Sequence, residues 1–204
     1  MSAPPPASAE AWNEPAISGL TAQTVSSFEE YLELEAVEHE RVLELVSGQV
    51  REKNIGVYER CVASLLHFEI RLFLRESGAG GFVLDDRTLY RCFEDPLTGR
   101  KPDVSFIAPG RIDAAGLRAG HLTLAPDLAV EVLSPDDLHG EVRAKEIAYL
   151  AAGVRMLWRV DTENTEVAVY TSEGSQGLFM ETVELSGGDV LPGFRLPVSR
   201  IFID

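Results

Sequence analysis

Residues 126–161 read PDLAVEVLSPDDLHGEVRAKEIAYLAAGVRMLWRVD. Leu128 to Leu133 is a nearly continuous apolar run broken by Glu131, which has the length and composition of a buried strand. Glu141 to Ala152 has helical composition and is stopped by Gly153. Val154 to Asp161 is apolar and β-branched again. Strand, helix and strand in this order predict a β-α-β unit, two parallel strands joined by a right-handed crossover. The fold class expected from it is α/β, with a mixed sheet flanked by helices.

Upstream, Val104 to Ala108 reads as a strand behind Pro102 and Asp103, and Phe82 to Tyr90 as another. Ile55 to Ser77 carries Tyr58, Cys61, Val62, Leu65, Leu66, Ile70 and Phe73 at three- and four-residue steps, so it predicts a long helix, ended by Gly78. Val42 to Val46, the turn Ser47-Gly48-Gln49 and Val50 predict two short strands. Ser27 and Glu30 form a capping box that opens a helix. Pro109 to Ala125 is a connection with a helical turn. Glu166 to Tyr170 and Phe179 to Leu185 read as a hairpin, and 188–202 as an irregular ending with a last helical turn. Residues 1 to about 25, rich in Pro, Ala and Ser, are expected to be a mobile tail, leaving 26–204 as one domain.

Composition narrows the function classes. No apolar run reaches the roughly 18 residues of a membrane span. The N-terminus lacks the basic start and apolar stretch of a secretory signal. Cys61 and Cys92 form neither a disulfide framework nor metal-ligand spacing, and both are expected to act as small apolar filler. A reducing, cytoplasmic location and no membrane partner are expected. The net charge of −15, from 18 basic and 33 acidic residues, opposes binding of a polyanion unless the cations are clustered. Arg87, Arg91, Arg100, Lys101, Arg143 and Lys145 flank the chemically suggestive segments and are the residues such a cluster would use.

Glu131 is the first of those suggestive residues, because a carboxylate inside an apolar strand must be paired or bind a cation. Asp103 opens the strand of KPDVSFIA. If the two strands are neighbours, their backbones lie about 4.8 Å apart, and the two carboxylates repel unless a cation lies between them. Oxygen ligands without Cys or His favour a hard ion, Mg²⁺ or Mn²⁺. Lys145 follows on the next helix, where a cation can orient a water or stabilise developing negative charge. Tyr149, one turn later, is read as packing. Asp127 belongs to a second Pro-Asp pair. It lies about 13 Å along the strand from Glu131, too far to share one ion, and is read as marking the strand start. Asp136, Asp137 and His139 follow the strand and stand where its mouth would be.

The ordered segments EEYLELEAVEHERVLELVSGQV, RKPDVSFIA, PDLAVEVLSPDD, KEIAYLAAGVRMLWRVD, VAVY and GDVLPGFRLPVSRIF, from about Ser27 to Asp204, resemble the Uma-type restriction-endonuclease family of the PD-(D/E)XK nuclease superfamily. The resemblance implies a restriction-endonuclease-like core. It matches Asp103 to the family's Pro-Asp motif and Glu131 to the acid of the next core strand. The superfamily's lysine stands two residues after that acid, where this chain has Leu133. Lys145 matches a lysine moved to the following helix, and Glu44 an early glutamate that could join the metal shell or water network. The implied activity is a Mg²⁺- or Mn²⁺-dependent endonuclease acting on phosphodiester bonds of nucleic acid, DNA foremost, as a homodimer. The competing expectation is a catalytically silent nucleic-acid- or protein-binding module on the same fold.

Overall fold

A computed structural model describes residues 23–202 apart from 39, 136, 173, 181 and 182. Most of the expected N-terminal tail, 1–22, and Asp136 therefore lie outside the described residues. The first elements are a two-residue strand, β1 (Gln23–Thr24), and a helix, α1 (Phe28–Val37). Ser27 caps that helix by accepting the Glu30 amide at 3.1 Å, while the Glu30 carboxylate turns back to the amide of Ser26 at 2.7 Å.

Strands β2 (Leu43–Val46) and β3 (Gln49–Glu52) form a hairpin whose two turn residues, Ser47 and Gly48, both have positive φ, 48° and 80°. That conformation matches the twist of a tight hairpin and suits glycine at the second position. β1 pairs with β3 to complete a three-stranded sheet. The period of two then sorts the side chains. Leu43, Leu45 and Val50 face Phe28, Tyr31 and Leu89, whereas Glu44 and Arg51 sit opposite each other on the other face. Lys53, two residues beyond Arg51, continues that second face.

Helix α2 (Val57–Ser77) buries Val62, Leu66, Ile70 and Leu74, each four residues from the last, and ends at Gly78 in the left-handed conformation. The buried stripe packs on a six-stranded sheet of order β4-β5-β6-β7-β8-β9. Its strands are β4 (Phe82–Asp85), β5 (Val104–Ile107), β6 (Leu128–Leu133), β7 (Met156–Asp161), β8 (Glu166–Thr171) and β9 (Gly174–Met180). A short helix, α3 (Ala114–Leu117), lies in the connection between β5 and β6, and α4 (His139–Ala151) joins β6 to β7. β6 and β7 are parallel, and the other neighbouring pairs are antiparallel. This is the mixed sheet expected from residues 126–161.

The sheet has two unlike faces. Val104, Phe106, Val130, Val132, Trp158 and Val160 meet α2 and the C-terminal strands β10 (Glu184–Ser186) and β11 (Arg195–Pro197), after which a 3₁₀ turn covers Val198–Arg200. The other face is covered by α4 through Tyr149, against Ala129 and Leu157. Glu131 lies on this face.

Some boundaries differ from the sequence reading. Residues 82–90 do not form one strand. The Asp85 side chain accepts the Arg87 amide at 3.2 Å and its carbonyl accepts the Thr88 amide at 3.0 Å, which turns the chain and sends Leu89 and Tyr90 into other packing layers. The segment 179–185 is divided between β9, the hairpin partner of β8, and β10, which pairs with β11. Within the segment expected to be a mobile tail, Gln23 and Thr24 are strand-paired and Val25 is buried. Cys92 packs against apolar neighbours, but Cys61 is exposed and so is not core filler.

Candidate active site

Asp103 precedes β5, and its amide donates to the Val130 carbonyl at 3.0 Å. Val104 stands opposite Val130 in the antiparallel register, which brings Asp103, one residue earlier, beside Glu131 of the adjacent strand. Both carboxylates contact the Lys53 ammonium and so lie on one side of the sheet, the side on which Glu131 meets α4. Asp103 Oδ2 accepts the Val132 amide at 2.8 Å, which fixes the carboxylate plane.

Helix α4 supplies two partners from one of its faces. Lys145 Nζ is 2.7 Å from Glu131 Oε2, and the Tyr149 hydroxyl donates to Glu131 Oε1 at 2.8 Å. Their four-residue spacing stacks them one turn apart. Tyr149 is therefore a hydrogen-bonding partner of the site as well as the packing residue expected, with its ring against Phe93.

The small sheet supplies the rest. Glu44 is buried, at 6% exposure. Its Oε1 accepts the Lys101 amide at 2.7 Å and lies 3.6 Å from Lys145 Nζ, and its Oε2 is 3.4 Å from Arg100. Lys53, which the sequence reading missed, reaches under the cluster. Its Nζ is 2.9 Å from Asp103 Oδ1 and 3.3 Å from Glu131 Oε2, and it donates to the Lys101 carbonyl at 2.7 Å. The signal that could have found it is the alternation Glu44, Arg51, Lys53 on the face opposite the Leu43–Leu45–Val50 layer.

Three carboxylates, Asp103, Glu131 and Glu44, thus meet three cations, Lys53, Lys145 and Arg100. Burial raises the cost of ionising Glu44, but Lys145, Arg100 and Lys53 outweigh it and hold the carboxyl at about 2. Burial dominates at Asp103 and pushes it up to about 6 despite Lys53. Burial also disfavours the charged form of Lys53, yet Asp103, Glu131 and Glu44 together raise it above the ordinary lysine range. Tyr149 is pushed well up by burial and by Glu131.

This cluster floors a cleft of about 900 Å³ bounded by the β2–β3 hairpin, the 53–56 connection, the end of β6 and α4. Glu44, Lys53, Arg100, Glu131 and Lys145 line it, together with Asp137 from the loop after β6. Asp103, 3% exposed, lies behind Lys53. The expected basic patch is largely spent on internal contacts. Lys101 is buried against Glu35, Arg91 lies over the Phe28 ring and Arg143 pairs with Glu146. Of the six cations, Arg100 and Lys145 reach the cleft. Asp127 is a structural residue, buried between Arg111 at 2.8 Å and Arg155 at 3.1 Å and accepting the Ala108 amide.

Among the described residues no three His, Cys, Asp or Glu side chains are grouped to hold a metal ion. The donors that do converge are two carboxylates and one backbone carbonyl, those of Asp103, Glu131 and Lys101, around the Lys53 ammonium. Asp103 Oδ1 is buried with no aligned hydrogen-bond donor. An oxygen set of this kind fits a hard divalent cation. Its spacing, near 3 Å from the central nitrogen, suits an ammonium.

A family model described as Uma2, putative restriction endonuclease, matches residues 28–199, which include every residue of the cluster. No curated protein matches. Among solved structures, the fold is similar to that of a putative nuclease belonging to DUF820 from Anabaena variabilis, with a TM-score of 0.73 and 22% identity over 86% of this chain and 97% of that one. Among the described residues no helix is long and apolar enough to cross a membrane.

Proposed function

The chain belongs to the Uma2 family of putative restriction endonucleases and has a restriction-endonuclease-like fold, and on that premise we propose that it is an endonuclease that hydrolyses phosphodiester bonds of nucleic acid, DNA foremost, with Mg²⁺ or Mn²⁺. The observation that carries this reading is the Lys145 ammonium at the cleft floor, in contact with Glu131 and one strand away from Asp103. Asp103 and Glu131, with the Lys101 carbonyl, would hold the cation. When bound, it would supply positive charge at the scissile phosphate.

The chain's own groups then have separable tasks. Tyr149 fixes Glu131 through Oε1 and leaves Oε2 turned toward the cation position. Glu44 holds Lys145 and Arg100 at the cleft floor by charge. Lys145, with 19% of its side chain exposed, is placed to donate a hydrogen bond to an attacking water or to the oxygen on which negative charge develops.

Nicking of plasmid, single-stranded DNA and RNA in Mg²⁺ or Mn²⁺, against a chelator, tests the reading. Wild-type cleavage that disappears in Glu131→Gln and Lys145→Met supports it. Cleavage unchanged in both variants, or no cleavage of any substrate by folded protein, sinks it. One observation favours the second reading, a silent binding module: each site carboxylate already has a cationic partner. Binding without cleavage is its signature.

A homodimer belongs to the same proposal. The long helix α2 supports it by exposing Val57, Cys61 and Phe68 along one side, and light scattering on wild type and Phe68→Glu tests it.

A further inference from the structure

The chain has three lysines, Lys53, Lys101 and Lys145, against fifteen arginines, and all three lie in or directly behind the carboxylate cluster. Arginine supplies the positive charge everywhere else. The two side chains differ in shape: guanidinium is a flat fork, whereas the lysine ammonium is a compact point charge with three donors. Among side chains the ammonium comes nearest to a small hard cation.

Lys53 uses that shape. Its nitrogen sits among Asp103 Oδ1 at 2.9 Å, Glu131 Oε2 at 3.3 Å and the Lys101 carbonyl at 2.7 Å. Those three oxygens are the donors that would hold a divalent ion in the proposed nuclease. We propose that Lys53 is the resident cation of the ion site: it occupies the position between Asp103 and Glu131 in the metal-free protein and must swing into the cleft before a divalent ion binds, so that it sets the site's ion affinity. This inference rests on the ion-dependent reading above.

Charge balance gives the device its purpose. Without Lys53, two carboxylates from adjacent strands would be buried together with Lys145 as the remaining close cation, an arrangement that costs stability. With Lys53 the pair is neutralised in the absence of metal. The lysine also has a route out. Asp103 is sealed behind it, but Lys53 itself lines the cleft, with 9% of its side chain exposed. It is the first residue after β3, followed by the irregular connection to α2. The cleft wall carries the carboxylates of Glu40, Glu52 and Asp137.

The test is calorimetric titration of the full chain with Mn²⁺ and Ca²⁺, comparing wild type, Lys53→Met, Asp103→Asn and the double variant. A lysine-in conformation favoured by about ten to one weakens apparent ion affinity about tenfold. Lys53→Met should therefore bind at least about tenfold more tightly, and Asp103→Asn should remove the gain. Should Lys53→Met fail to fold in chelator, lysine acetylation of the wild type decides. Read by mass spectrometry, Lys53 should be protected in chelator and react at least about tenfold faster at saturating ion, with Lys101 protected in both. Equal affinity in wild type and Lys53→Met overturns the inference, as does Lys53 protection that ignores saturating ion. The nuclease reading then survives wherever wild-type ion binding depends on Asp103. No ion binding by either protein overturns both.

Discussion

Lys145 Nζ lies 2.7 Å from Glu131 Oε2 although the two residues are fourteen apart in sequence, because β6 delivers the carboxylate to the face that α4 covers. Lys145 also reaches Glu44, which belongs to the other sheet, at 3.6 Å. One side chain thus ties a carboxylate of each sheet to the same point. Lys145→Met should lower the single-turnover cleavage rate by roughly 100-fold or more, since in the proposed reaction it removes the group that would meet developing charge. Substrate affinity should change less. A rate within about threefold of wild type would remove Lys145 from the chemistry.

Tyr149→Phe isolates the hydrogen bond from the packing. The ring keeps its place against Phe93, but Glu131 Oε1 loses its donor at 2.8 Å inside the fold. A buried acceptor left unpaired costs about 1–3 kcal/mol. The urea midpoint should fall accordingly. A midpoint equal to wild type would mean that water replaces the hydroxyl and that Tyr149 serves the site through packing alone.

The β-α-β unit was legible in the sequence because the lengths of its apolar runs and Gly153 admit few other readings. Asp103, Glu131 and Lys145 were legible as residues for the same reason: each lies on or beside an element whose type was plain. What periodicity does not carry is which long-range faces meet. Lys53 finds its partner Glu131 seventy-eight positions away, and its role becomes visible only once the hairpin's outer face is known to lie under α4. The end of β4 was hidden for a different reason. Its turn is made by the Asp85 carboxylate acting on the backbone, a local bond that competes with strand pairing in a segment that still looks apolar.

Asp127 provides a control, because it heads the same strand as Glu131 yet serves structure. Arg111, Arg155 and the Ala108 amide share its carboxylate, and these partners hold its pKa below the usual range against the cost of burial. Asp127→Asn should destabilise the fold by about 1–3 kcal/mol through the weakened partners. Ion binding in the folded variant should stay at the wild-type affinity. Loss of ion binding with stability intact would move Asp127 into the site.

Glu44 gives the site a pH signature whose sign can be worked out. Its carboxyl is held at about 2 in the fold, from an ordinary value of 4.5. Burial opposes this, and Lys145, Arg100 and Lys53 together with the Lys101 amide overcome it. A carboxyl with a depressed folded value binds its proton less readily in the native state. Its stabilisation is therefore complete above 4.5 and is lost as pH falls from 4.5 toward 2. The full effect is roughly 3 kcal/mol at most. Glu44→Gln removes the titrating group, so the stability difference between wild type and variant should be constant from pH 5 to pH 7, in the region above about 4.5, and should shrink steadily below it. Urea unfolding of both proteins at a series of pH values measures that difference. A gap that stays constant down to pH 2.5, or widens, would show that Lys145, Arg100 and Lys53 do not hold Glu44 ionised in the fold.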